Sequence, residues 1–231
     1  MTSTPTRPNL DTLTLADHGA QLFRGAALDD LPALLDVLAP LPAEQAGSRI
    51  SDMPGLRPFL APTGCIGMVA SRALGDEGKA VRAILFDKSA GTNWSLAWHQ
   101  DRTICVAERV EVEGFGPWSV KAGLHHVAPP FDLLARMVTL RVHLDDVPAT
   151  NAPLLIAPGS HRHGRVPVDA VEGLAARCGT MACLASAGDV WAYSTPILHA
   201  SEAASRPARR RVLQVDFSAD ALLGGLEWLG V

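Results

Sequence analysis

The chain has 231 residues, 48 % of them apolar and 19 % charged; this excludes a disordered or collagen-like chain and supplies apolar material for one buried core. A formal net charge of −4 gives no overall reason to expect nucleic acid or an anionic membrane as a partner. No run approaches the roughly 20 apolar residues that span a bilayer, and Met1–Leu10 has no apolar stretch like that of a signal peptide.

Residues 1–10 read as a loose tail and residues 11–231 as a single domain. Leu31, Leu34, Leu35 and Leu38 recur at three- and four-residue spacing, predicting an amphipathic helix within Leu28–Leu38. A second helix is expected over Thr63–Leu74. Strand-like runs broken by Gly and Pro then dominate: Val81–Phe86, Leu96–Val106, Met137–Leu144, Leu154–Ala157, Asp189–Tyr193 and Val212–Phe217. Val168–Arg177 interrupts them as a helix. Helices in front and short strands behind predict a mainly β fold, a sandwich or jelly roll with helices packed on one side. A doubly wound α/β sheet is disfavoured, because helices do not alternate with strands and no GxGxxG or Walker sequence occurs. Cys65, Cys105, Cys178 and Cys183 have no CxxC spacing, so a cytoplasmic, reducing environment is expected.

Among eight histidines, the spacing His-x-Asp occurs twice, at His99-Gln100-Asp101 and His143-Leu144-Asp145. Residues two apart on a strand project from one face, so either pair could reach one metal ion. The first copy opens a strand beside a polar loop. The second runs into Asp146 and Pro148, a strand end and turn, so His143 is read as packed or hydrogen-bonded on the sheet. His161-Arg162-His163 lies in a turn-rich loop with no following Glu and is read as surface. His199, after the strand-like Gly188–Ala192, is the expected third donor. A turn at Ala203–Pro207 would put His199 and Arg210 on neighbouring antiparallel strands. Two imidazoles and a carboxylate on one face of iron leave positions open for a 2-oxo acid and dioxygen. An arginine fork suits the far carboxylate of 2-oxoglutarate. Strand alternation turns Arg210 inward and puts Arg209 and Arg211 on the opposite face.

Taken together, Trp98-His99-Gln100-Asp101, Pro158-Gly159-Ser160-His161 and His199-Ala200-Ser201 with Arg210 resemble the phytanoyl-CoA dioxygenase family over Val81–Phe217. The resemblance implies a double-stranded β-helix (jelly roll, cupin-like) core with flanking helices. It implies iron(II) held by His99, Asp101 and His199, with 2-oxoglutarate and O2 as cosubstrates. Arg210, helped by Ser201, would bind the distal carboxylate of 2-oxoglutarate; Asn93, Arg82 and Arg141 are further candidates for cosubstrate binding. Related halogenases replace the metal-bound Asp by a small residue. Asp101 therefore implies hydroxylation or desaturation, with release of succinate and CO2. Ala152 stands where members often carry Gly, which implies a local change of turn.

The substrate-side candidates are Lys88, Trp98, Trp118, Lys121 and His126. A wall carrying Lys88 and Lys121 would suit a small anionic molecule with a carboxylate or phosphate. Two other readings use the same residues: a catalytically silent jelly-roll module that keeps the metal pocket, and a zinc-dependent isomerase or hydrolase. The carboxylate anchor at Arg210 favours the oxygenase over the zinc enzyme, and the intact triad favours it over the silent module.

Overall fold

Period-two alternation in the long apolar strands sets the architecture of the computed structural model, which describes residues 10–43, 45 and 47–231. A six-stranded antiparallel sheet is built from β1 (Ala20–Phe23), β2 (Ser48–Ile50), β3 (Lys79–Lys88), β8 (Val138–His143), β11 (Val190–Ser194) and β13 (Arg210–Ser218), in the order β1-β11-β8-β13-β3-β2. A four-stranded sheet, ordered β10-β9-β12-β4, faces it and comprises β4 (Leu96–His99), β9 (Leu154–Ile156), β10 (Met181–Cys183) and β12 (His199–Ser201). A third, three-stranded sheet joins β5 (Ile104–Val106), β6 (Trp118–Lys121) and β7 (Leu124–Val127) in the order β5-β7-β6. Two antiparallel sheets stacked in this way form the double-stranded β-helix.

On the major sheet, one parity is apolar and covered by helices. Val138, Leu140 and Val142 of β8, with Leu213, Val215 and Phe217 of β13, meet α2 (Leu31–Leu38) and α4 (Cys65–Leu74) in one buried cluster. Each large side chain buried there contributes about 1.5–3 kcal/mol of transfer free energy. The opposite parity, Thr139, Arg141 and His143 on β8 and Arg210, Gln214 and Asp216 on β13, is buried and polar. Trp191 and Tyr193 of β11, with Leu154, Ile156 and Met181, fill one end of the space between the sheets. Outside the minor sheet, α6 (Val171–Cys178) lays Leu174 and Ala175 against Ala157, Val166 and Leu198.

The expected helices over Leu28–Leu38, Thr63–Leu74 and Val168–Arg177 all form. Leu96–Val106, predicted as one strand, is two: it breaks at residues 100–103, and its halves enter different sheets. The strands β1, β2, β10 and β12 are too short for their alternation to stand out. The expected tail lies outside the described residues except for Leu10, which begins a short 3-10 turn.

Two helical glycines have opposite environments. A Cβ on Gly67 would overlap the Ala61 carbonyl oxygen, where α4 crosses the end of α3 (Arg57–Leu60). One on Gly173, on the exposed side of α6, would meet only the Arg177 side chain at 3.6 Å. Gly67→Ala should therefore lower the unfolding free energy by more than about 2 kcal/mol in urea titrations. Gly173→Ala should raise it by about 0.5–1 kcal/mol. Equal effects at the two sites would contradict this packing.

Candidate metal centre

The end of β4 and the start of β12 are in register, with His99 opposite His199. The two rings lie 4.2 Å apart between centroids. Asp101 follows two residues after His99, beyond the end of β4, so the carboxylate comes from a turn and not from the continuous strand that the His-x-Asp spacing predicted. One donor atom from each of His99, Asp101 and His199 lies within 4.8 Å of the others, and among the described residues this is the one such cluster of His, Cys, Asp or Glu.

The imidazoles are oriented by their own strands. His99 Nδ1 is 2.8 Å from the Ala97 carbonyl oxygen, and His199 Nδ1 is 2.9 Å from that of Ile197. A carbonyl only accepts, so each Nδ1 donates, and Nε2 is the ring nitrogen whose lone pair the neutral tautomer offers to a metal. Burial pushes the His199 imidazole down to about 4 against the pull of Asp101, so it is neutral at neutral pH. Burial also opposes the Asp101 charge. His199, Arg82, His99 and Lys121 nevertheless hold that carboxyl below its ordinary value.

Gln100, between the two donors, faces away from them. Its amide nitrogen donates to the carbonyls of Gly164 and Pro196 at 3.0 and 2.9 Å, and its oxygen accepts from Val166 N–H at 3.2 Å. These three bonds stitch the metal turn to two loops. The sequence reading assigned Gln100 no role; its signal was only its place inside the motif.

The polar face of the major sheet forms a floor beneath the triad. Arg82 Nε donates to Asp216 at 2.6 Å, and its Nη2 lies 3.9 Å from Asp101. Burial disfavours the Arg82 charge, but Asp216 and Asp101 raise its pKa above the ordinary value. Thr139 donates to Asp216 at 3.0 Å, and Arg141 Nη1 donates to Gln214 at 2.9 Å. Arg141 Nε is buried with no hydrogen-bond partner. Arg210 is 4 % exposed and donates to the Ala152 carbonyl. Ala152 itself has φ +48°, the left-handed region that favours Gly; the turn anticipated there is the one that aims this carbonyl at Arg210.

A cavity of about 160 Å³ lies between the sheets, lined by His99, Asp101, His199, Arg82, Arg141 and Arg210, with Ser201 and Lys88 also at its wall. His199 and Arg210 are not on neighbouring strands as expected: β12 pairs with β4 and β9, whereas β13 pairs with β3 and β8. They meet across the cavity, because the chain crosses from one sheet to the other after Ser201. Arg209 and Arg211 do take the opposite face, with Asp87 and Asp145 at 2.9 and 2.7 Å.

Other candidates sit elsewhere. Asn93 is exposed and exchanges two hydrogen bonds with the Ala204 backbone, so it ties loops together and does not line the cavity. Trp98 packs on the outer cluster beside α6. Trp118 packs in the cluster around Phe115 and Leu133, under the Arg109 guanidinium. Lys121 is exposed, and His126 is buried with Nδ1 3.1 Å from the Leu124 carbonyl; neither lines the cavity, although Lys121 acts on Asp101 by its charge. His143 is buried as expected but makes no hydrogen bond through either ring nitrogen; burial, Arg141 and Arg210 push it down to about 3. His161 is half-buried at the surface, with its ring over Gly19 and its Nδ1 buried. Arg49 of β2, opposite Ile84, was not anticipated and has a buried Nε without a partner. No helix among the described residues is long and apolar enough to cross a membrane.

The family model for phytanoyl-CoA dioxygenase (PhyH) matches residues 63–212. No curated protein matches the chain by sequence. Among solved structures, it resembles EctD from S. alaskensis with 2-oxoglutarate and 5-hydroxyectoine, at 20 % identity and a TM-score of 0.65, over 94 % of this chain and 77 % of that one. HygX from Streptomyces hygroscopicus with nickel and 2-oxoglutarate bound superposes at 14 % identity and a TM-score of 0.58, over 88 % and 84 %. AviO1 from Streptomyces viridochromogenes Tue57 does so at 18 % identity and a TM-score of 0.58, over 91 % and 94 %.

Removing the Gln100 stitch leaves one buried N–H and two carbonyls without their partner. Gln100→Leu should lower the unfolding free energy by about 2–4 kcal/mol. Urea titration followed by circular dichroism measures this, and an unchanged midpoint would refute the role.

Proposed function

The chain belongs to the phytanoyl-CoA dioxygenase family of iron(II)- and 2-oxoglutarate-dependent oxygenases, and we propose that it hydroxylates or desaturates a small molecule, with release of succinate and CO2. The observation that carries this reading is one cavity with a two-imidazole, one-carboxylate donor set at one wall and a buried guanidinium at the other. His99, Asp101 and His199 would hold the iron. Their chemistry fits: two imidazoles held by their Nδ1 atoms, with Nε2 on the donor side, and a carboxylate make the donor set that suits iron(II) with open positions. Bound there, iron with 2-oxoglutarate supplies the activation of O2.

The remaining tasks belong to the protein. Arg210 would bind the distal carboxylate of 2-oxoglutarate by a two-point, charge-assisted bond, with Ser201 and Arg141 as further donors. Arg82 keeps Asp101 ionised and aims it, since it is itself anchored on Asp216. Ile84, Phe86 and Leu154 line the cavity with apolar surface, which excludes water from the reacting atoms. A zinc hydrolase would have no use for a buried guanidinium opposite the donors, and this favours the oxygenase.

Separate Ala substitutions at His99, Asp101 and His199 should each weaken iron(II) binding by orders of magnitude in equilibrium dialysis. Unchanged affinity in all three would sink the assignment. Arg210→Ala should raise the KM for 2-oxoglutarate at least about a hundredfold, consistent with roughly 3 kcal/mol for truncating one partner of a buried charge pair. Arg211→Ala, on the other face, should change it less than about twofold. The reverse ranking, measured by succinate release, would put the anchor one residue out of register.

A further inference from the structure

At the far end of the cavity floor, two cations face each other across a strand pair. Lys88, the last residue of β3, is in register with Arg210, the first of β13. Both are buried, at 8 % and 4 % exposure. Like charges directly opposite on paired strands destabilise a sheet, and burial increases that cost. The partners of Lys88 are neutral: its Nζ donates to the Trp94 carbonyl at 3.2 Å and lies 3.9 Å from the Trp94 ring centroid. Arg210 donates to the Ala152 carbonyl and Arg141 to Gln214. Among the described residues, no carboxylate forms an ion pair with any of these three, whereas Arg82 and Arg211 on the same sheet, and Arg209 just before β13, each have one.

Lys88, Arg141 and Arg210 thus form a cluster of buried cations on the inner face of this sheet, with no acidic partner among the described residues. Burial, with Arg210 and Arg141 close by, pushes the Lys88 amine down to about 8, and burial with Arg141 lowers Arg210 to about 10. Both groups would gain from an anion between them. Trp94 holds the Lys88 ammonium by one of its three donors, so two stay free for a ligand. The Asn93–Ala204 hydrogen bonds, adjacent in sequence, tie down the loop that carries Trp94.

We propose that Lys88 and Arg210 form a two-cation clamp on the distal carboxylate of 2-oxoglutarate, which makes Lys88 part of the cosubstrate site and not of the substrate wall. This inference rests on the oxygenase reading of the same cavity. A carboxylate presents two oxygens, so the guanidinium fork and the ammonium bind it together without competing. The clamp thereby selects 2-oxo acids that carry a second carboxylate over those that do not.

Anaerobic calorimetric titrations into the iron(II)-loaded protein test the clamp, using 2-oxoglutarate and, separately, oxalate, which chelates iron but has no distal carboxylate. Lys88→Met should weaken 2-oxoglutarate binding at least about tenfold and leave oxalate within about twofold, while Lys88→Arg should restore most of the affinity. The Lys88→Met, Arg210→Met double variant should lose less than the product of the two single losses, because both groups act on one carboxylate. Wild-type affinity for 2-oxoglutarate in Lys88→Met, or an equal loss for both ligands, would overturn the clamp. The visible charge-transfer band of the iron–2-oxoglutarate complex separates the two levels of inference. Its absence from the wild-type protein would remove the oxygenase reading itself, whereas a normal band with an indifferent Lys88 would remove only the clamp.

Discussion

Arg82 stands between two carboxylates, and the site depends on that position. It is bonded to Asp216 at 2.6 Å and lies 3.9 Å from Asp101. Without the Arg82 guanidinium, Asp101 would keep the opposing pull of His199 and His99 but lose one of the charges that offset its burial, and its pKa would rise. With Arg82 present, Asp101 remains an anion at the edge of the cavity between the sheets. Asp216 is positioned in turn by Thr139 from β8, so three adjacent strands of the major sheet combine to hold a carboxylate that belongs to neither sheet.

The two faces of that sheet resolve charge differently. On the outer face, Arg209 covers the buried Asp87, and Arg211 meets Asp145 with both side chains partly in solvent. On the inner face, Lys88, Arg141 and Arg210 carry charge with neutral partners only. Cations left in this state destabilise the fold and favour any anion that enters, the usual trade between stability and function. The left-handed Ala152 belongs to the same trade, since its strained turn presents a carbonyl to Arg210.

The donors and the anchor are divided between the two layers. His99 and His199 sit on paired strands of the minor sheet, while Arg210 and Arg82 sit on the major sheet. The spacing between the His99–Asp101–His199 cluster and the Arg210 guanidinium is therefore a sheet-to-sheet distance, set by the packing of Trp191, Tyr193, Ile156 and Met181 between the layers. Interiors packed at crystal-like density transmit small changes of volume. Substitutions in that cluster will act on the site although none of these four side chains lines its cavity.

The amino-acid sequence by itself determined the local elements and the parity of the long strands. Leucine spacing fixed α2, and the alternation in β13 turned Arg210 inward with Arg209 and Arg211 outward, because side-chain direction along a strand follows from the backbone alone. It also marked His99, Asp101 and His199 as the donor candidates, through motif and family resemblance. The same parity extends to Gln214 and Asp216, which share a face with Arg210, so much of the floor could have been read from one strand. Only the tertiary structure decided that β4 stops at His99 and leaves Asp101 in a turn, that Gln100 stitches outward, and that Trp98 and Asn93 face away from the cavity. It alone set His199 and Arg210 in opposite sheets and Lys88 directly across from Arg210. Lys88 and Arg210 stand more than a hundred positions apart, and even His199 and Arg210, close in sequence, are separated by the choice of which strands pair and how the sheets stack. That choice is made by burial over the whole chain, and no local pattern of residues encodes it.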